Sequence, residues 1–206
     1  MLPHLDEKSI DVESVAKEAL EDEKVLAALL EGIVSKKDTR RYNSFKVLLL
    51  ISEEHPEVLS LKWDFFVDLL RSDNTYHKSS AINIIANLAS ADRAGRFDSI
   101  FDRYFDLLDD RSVVTARYVA RNAGEIAKSK PHLQERITER LLDIDETHHD
   151  QERKDLIKAD VIQSFEGFFE ESRDQERIVA FVEEQVECSS PKTRKAAKAF
   201  LARWRK

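Results

Sequence analysis

The chain has 206 residues, 42% of them hydrophobic and 35% charged, with a formal net charge of −7. That length suits one domain, and the acidic balance disfavours generic attraction to nucleic acid or an anionic membrane. Cys188 is the only cysteine, which excludes an intramolecular disulfide and a cysteine-based zinc site, and no apolar run approaches the roughly 20 residues of a membrane span.

Residues 1–10 read as a flexible start, with Asp6 and Glu7 standing where a secretory signal would carry its apolar stretch. Together with the lone cysteine, this sets the expectation of a reduced, cytoplasmic protein. Residues 11–206 are expected to form a single repeat domain. A helix over 12–20 places Val12, Val15, Ala16, Ala19 and Leu20 on one face and acids on the other, as suits a terminal cap. Five helical hairpins follow. The first joins a helix over 25–34 to one reaching about His55, across Lys36 to Thr39, and Pro56 punctuates it because proline disfavours helical geometry at the preceding residue. The second pairs 59–70 with 75–90 across Ser72, Asp73 and Asn74, side chains that cap helices. The third pairs 97–108 with 113–129, and Pro131 ends it. The fourth pairs 133–142 with 153–170 across the longest turn. The fifth pairs 176–188 with 191–204, where Ser189 or Ser190 caps and Pro191 suits the first helical position.

The hairpins recur at an irregular spacing of roughly 36–42 residues, clearest in the second helices at 42–51, 79–88 and 117–126. One hairpin cannot bury its own apolar face, so such a repeat implies hairpins that share a core with their neighbours. Ala116, Val119, Ala120, Ala123 and Ile126 form a helical stripe with no two-residue alternation. The aromatics, including Phe65, Phe66, Phe101, Phe105, Phe165, Phe168 and Phe169, read as filling between layers. Four glycines and four prolines are too few for a turn-rich sheet protein. The fold class expected is all-α.

Hairpins of this length, with an acidic turn residue and a basic residue a few positions into the second helix, resemble HEAT repeats. The matching pairs are Asp38 with Arg41, Asp73 with His77 or Lys78, and Asp110 with Arg117. The resemblance covers residues 23–206. The proline often found in the first helix of such repeats is absent, so an armadillo-like variant stays open. The resemblance implies a right-handed α-solenoid whose second helices line a concave surface that grips a partner. It also implies, as an alternative, a nucleic-acid-binding protein like the DNA-alkylation-repair glycosylases.

Charge divides unevenly between the helix sets. The second-helix segments 36–55, 73–92, 111–130, 150–171 and 191–206 hold 21 basic and 13 acidic residues, a net of +8, so the remainder carries −15. Residues 150–171 break the pattern at −4. The helix dipole accounts for several of these charges. In a HEAT-like arrangement the rest would give a basic groove, which speeds encounter with an acidic partner.

Three second helices carry a polar stripe opposite the apolar one: Tyr42 and Lys46, then Ser79, Asn83 and Asn87, then Arg117 and Arg121. Guanidinium forks and amides suit carboxylates, phosphates or peptide backbone. This stripe is the expected partner-binding site, against the plainer reading of a solvated face. Asn83 stands out because asparagine is a poor mid-helix residue. A secondary basic patch is formed by Lys192, Arg194, Lys195 and Lys198, read also as no more than the closing helix of the row. His148, His149 and Asp150 lack the second ligand pair that a zinc site needs. No phosphate loop or nucleophile elbow occurs, and Cys188 has Glu187 beside it instead of a base. The expected function is a non-enzymatic scaffold or adaptor, without metal or cofactor, that binds a protein or peptide and no membrane. A structural subunit of a larger complex remains the other alternative.

Overall fold

Capping side chains set where several helices begin. Asp11 accepts from the Ser14 amide at 3.0 Å, Asp22 from Lys24 at 2.8 Å, Asn74 from Tyr76 at 2.9 Å and Asp150 from Arg153 at 3.0 Å. The computed structural model describes residues 5–205, which are all-α, with no strand among them. They fall into two compact units that meet at the boundary between Gly95 and Arg96 in the sequence, called unit 1 and unit 2.

Unit 1 contains α1 (Val12–Glu21), α2 (Glu23–Ile33), α3 (Asp38–Glu54), α4 (Pro56–Ser60), α5 (Trp63–Leu69) and α6 (Thr75–Ala91). Helix α3 is central, touching α1, α2, α4 and α6. Leu29, Ile33, Val47, Leu48, Ile51, Leu59, Phe66, Ile85 and Leu88 are its buried core. The single helix expected over 59–70 is two, α4 and α5, broken at Leu61 and Lys62. Pro56 therefore opens a helix, at the position where its missing N–H costs nothing. Within the flexible start expected over residues 1–10, residues 5–7 make contacts with α3. Leu5 is buried, Asn43 donates to the carbonyls of Leu5 (3.0 Å) and Glu7 (2.9 Å), and Arg40 grips Asp6 through both carboxylate oxygens. Residues 1–4 lie outside the described residues.

Unit 2 contains α7 (Arg96–Phe105), α8 (Val113–Ser129), α9 (Gln134–Leu142), α10 (Gln151–Glu166), α11 (Gln175–Glu184) and α12 (Pro191–Trp204). Helices α7, α9 and α11 each run on into a short 3-10 turn, so α7 and α11 end earlier as α-helices than the 108 and 188 expected, while α9 ends at Leu142 as expected. Helix α10 lies against both α8 and α12, so three second helices stand side by side. The small-residue stripe of α8 brings it close to α10: a Cβ on Gly124 would sit 2.7 Å from the Ser164 carbonyl oxygen. Ser164 fastens this contact, donating to the Ala120 carbonyl at 2.6 Å and accepting from the Gly124 amide at 2.8 Å. On the other side a ladder of pairs 34 residues apart joins α7 and the turn after it to α9 and the turn before it: Asp98 with His132 (2.6 Å), Asp102 with Arg136 (3.1 Å) and Asp106 with Arg140. Most aromatics fill the core as expected; Phe45, Phe65, Tyr118 and Trp204 are half-buried, and Tyr42 and Tyr76 are exposed.

Candidate functional site

The expected polar stripe falls in both units. In unit 1, helix α3 carries Tyr42 and Lys46. Tyr42 is 62% exposed and Lys46 Nζ lies 4.9 Å from its ring centre. Helix α6 adds Tyr76, in its first turn, where the sequence predicts a core aromatic. It is 65% exposed, and the guanidinium of Arg41 lies 4.6 Å from its ring centre. Arg41 is itself nearly buried, donating to the Ser35 carbonyl (3.0 Å) and to Asp38 (2.5 Å). The expected pairing of Asp38 with Arg41 is therefore present, and it holds a cation under an exposed aromatic ring. The missed signal was position: Tyr76 lies in the first turn of α6, before the run of Ile and Ala that reaches the core.

The amides behave differently from the expectation. Ser79 is buried, with its hydroxyl turned inward, so it does not belong to a solvent-facing stripe. Asn83 donates to the Ser79 carbonyl at 2.7 Å, one turn back along its own helix, and Asn122 does the same to Tyr118 at 2.8 Å. Such a bond back to the preceding turn gives the amide a local partner and accounts for asparagine mid-helix. Asn87 donates to Ser52 Oγ at 2.8 Å, tying α6 to α3.

In unit 2, Arg117 and Arg121 do not simply face water. Both turn toward Asp160 on α10, a carboxylate with no exposed surface. Arg117 Nε donates to Oδ2 at 2.7 Å, while Arg121 Nη2 reaches Oδ1 at 3.4 Å. Lys192, from the secondary basic patch on α12, donates to the same Oδ1 at 2.8 Å. Burial alone would raise the Asp160 carboxyl, but the bonds from Arg117 and Lys192 and their charges outweigh it and hold it below the usual carboxylate range. The expected partner of Arg117 in the turn, Asp110, instead accepts from the Ser112 amide at 2.9 Å. Asp160 is hidden in the sequence because it sits in the most acidic second-helix segment, one of seven carboxylates over 150–171.

The three cations remain partly open to solvent, with side-chain exposures of 29% for Arg117, 46% for Arg121 and 49% for Lys192. Around Asp160 they leave a local excess of two positive charges. Tyr118 backs Arg121, its ring centre 5.6 Å from the guanidinium. Of the rest of the patch, Arg194 donates to the carbonyls of Cys188 (2.6 Å) and Ser189 (2.8 Å), whereas Lys195 and Lys198 are exposed.

The other candidates have structural partners. His148 pairs with Asp109 at 2.6 Å and His149 is buried with Nε2 3.2 Å from the Leu108 carbonyl. Among the described residues no cluster of histidine, cysteine and carboxylate side chains suits a metal ion. Burial pushes the Cys188 thiol up, away from the thiolate a nucleophile needs. No helix among the described residues is long and apolar enough to cross a membrane.

No family model matches the chain, and no curated protein does. Among solved structures it is similar to the crystal structure of an engineered protein from the Northeast Structural Genomics Consortium. Identity is 16% over 95% of this chain and 92% of that one, with a TM-score of 0.55. At that identity the likeness concerns fold alone.

Proposed function

We propose that the protein is a non-enzymatic interaction module that binds a protein or peptide partner through the polar faces of its second helices. The recurring hairpin, and the side-by-side packing of second helices within each unit, support reading it as a HEAT-like right-handed α-solenoid. The observation that carries the functional reading is the exposed pair Tyr42 and Tyr76, each set against a cation. Tyrosine supplies large contact area at small entropic cost and is enriched where proteins meet. A ring already fixed by a cation beneath it loses still less freedom on binding. Lys46, Arg121, Lys195 and Lys198 would favour an acidic partner.

The test is affinity purification from cell extract with the wild type and with Tyr42→Ala/Tyr76→Ala, with and without nuclease. Any recovered protein is then titrated directly against both forms. The expected result is a nuclease-resistant partner whose affinity falls at least about tenfold in the variant, as for loss of aromatic anchors. Equal affinity of both forms would refute the tyrosine surface. Nuclease-sensitive capture would favour nucleic-acid binding instead.

A further inference from the structure

Three cations converge on one buried carboxylate in unit 2, and the carboxylate satisfies only part of them. Asp160 engages one N–H of Arg117, one of Arg121 and one of Lys192. Each guanidinium offers five N–H donors and each ammonium three, so most donors of the cluster remain for a second acceptor. Lys192 Nζ and Arg121 Nη2 both approach the single oxygen Oδ1, which keeps those charges close together on the side open to water. Asp160 cannot leave, because its side chain has no exposed surface, so it works as a fixed strut that holds the cations in place. Preset donors of this kind bind an anion without the ordering cost that free surface lysines and arginines incur.

We infer that Arg117, Arg121 and Lys192, held by Asp160, form a binding site for a phosphate monoester dianion carried by a phosphorylated side chain of the partner. This rests on the protein-interaction reading above. Charge decides the ligand class: the cluster carries a residual +2, which a phosphomonoester at neutral pH matches and a single carboxylate leaves half satisfied. The inner position is already taken by a carboxylate, so an incoming anion meets the outer donors, where planar guanidinium forks suit phosphate oxygens. A nucleic-acid strand, which spreads charge along its length, fits worse. One turn beyond Arg121 on the same stripe stands exposed Glu125, and the chain as a whole carries −7.

The test follows the arginine Nε–Hε resonances of the full chain by NMR while phenyl phosphate, phenyl sulfate or benzoate is added at constant ionic strength. Phenyl phosphate is expected to shift the Arg117 and Arg121 signals and to bind at least about fivefold more tightly than either monoanion at about pH 7.5. That advantage should shrink at about pH 5.5, where the phosphate becomes a monoanion. Arg121→Gln and Lys192→Gln alter half-exposed side chains, so both variants should fold as judged by circular dichroism and both should weaken binding severalfold. Lys24→Gln, at an exposed lysine of unit 1 outside the cluster, should leave it unchanged. A phosphoserine peptide library should contain members that bind more tightly than phenyl phosphate, and their unphosphorylated forms should not bind. Equal affinity for phosphate and sulfate, undisturbed arginine signals, or wild-type binding by Arg121→Gln would overturn the site. A library no tighter than phenyl phosphate would overturn the protein-borne source. If the site fails while Tyr42→Ala/Tyr76→Ala still loses its partner, the interaction reading stands alone. If phosphate binds and the tyrosine variant keeps its partner, the reverse holds.

Discussion

Replacing Asp160 by asparagine keeps the size of the side chain and removes its charge at the point where α8, α10 and α12 meet. Two short charge-assisted bonds converge there, from Arg117 at 2.7 Å and Lys192 at 2.8 Å, while the contact from Arg121 at 3.4 Å is near the limit of a hydrogen bond. Bonds of that kind are worth about 1.5–3 kcal/mol each, and the asparagine oxygen still accepts one in weakened form. The groups left behind are cations that reach water, so the cost is smaller than the roughly 3–5 kcal/mol of stranding a buried charge. A loss of about 2–3 kcal/mol at neutral pH is expected. Its pH dependence identifies the cause. The folded carboxyl titrates below its unfolded value, so its stabilisation is complete above about pH 3.9 and is lost as pH falls toward the folded value. The gap between wild type and Asp160→Asn should therefore narrow by about 1.4 kcal/mol per unit below that point. Urea unfolding read by Trp204 fluorescence, in a Trp63→Phe background, reports unit 2 alone. No loss at neutral pH, or a loss that stays constant with acid, would refute the view that the ionised carboxylate holds these helices together.

Gly124→Ala gains about 1 kcal/mol of helix propensity but places a methyl group 2.7 Å from the backbone oxygen of Ser164, which cannot swing aside. A net loss of at least about 1 kcal/mol is expected by urea unfolding, against the gain of a glycine that serves no close approach. Burial, then the charge of His148, lowers the pKa of His149, and burial likewise lowers that of His77. Their unfolded forms take up protons first, so stability present above about pH 6.5 should fall as the solution is acidified through the window just below it. Thermal melting between about pH 7.5 and 5.5 checks this, and His149→Gln should flatten the slope.

The all-α class and the positions of the second helices were legible in the sequence because apolar side chains at helical spacing must share one face, and α3, α6, α8 and α12 end close to where that pattern ends. The break at Leu61 and Lys62 was not legible. The apolar run continues through it, and only the 85% exposure of Leu61 marks the side chain as turned outward. The site was readable at the level of single helices: Arg117 and Arg121 do share a stripe, and Tyr42 is exposed. What periodicity cannot reveal is a partner from another helix. Asp160 lies 43 residues from Arg117, and Lys192 lies 32 from Asp160. Nothing in the local pattern of α10 distinguishes this carboxylate from the exposed Glu152.

The same limitation changes the meaning of the charge contrast. Counting residues gave the second helices a net of +8, as if that charge faced a partner. Much of it instead has internal work. Arg41 pairs with Asp38, Arg117 and Lys192 with Asp160, buried Lys158 with Asp145 at 2.8 Å, and Arg194 binds two carbonyls. Asp98, Asp102 and Asp106 are likewise matched by His132, Arg136 and Arg140. A uniformly basic groove is therefore the wrong picture of these surfaces. The charge left for a partner is concentrated where cations outnumber the carboxylate that orders them, at Asp160, and where a cation sits against an exposed ring, at Tyr42 and Tyr76. Such places bind through a few ordered contacts. Salt should then weaken binding by the small slope of one or two ion pairs, far below that of a surface reading many phosphates.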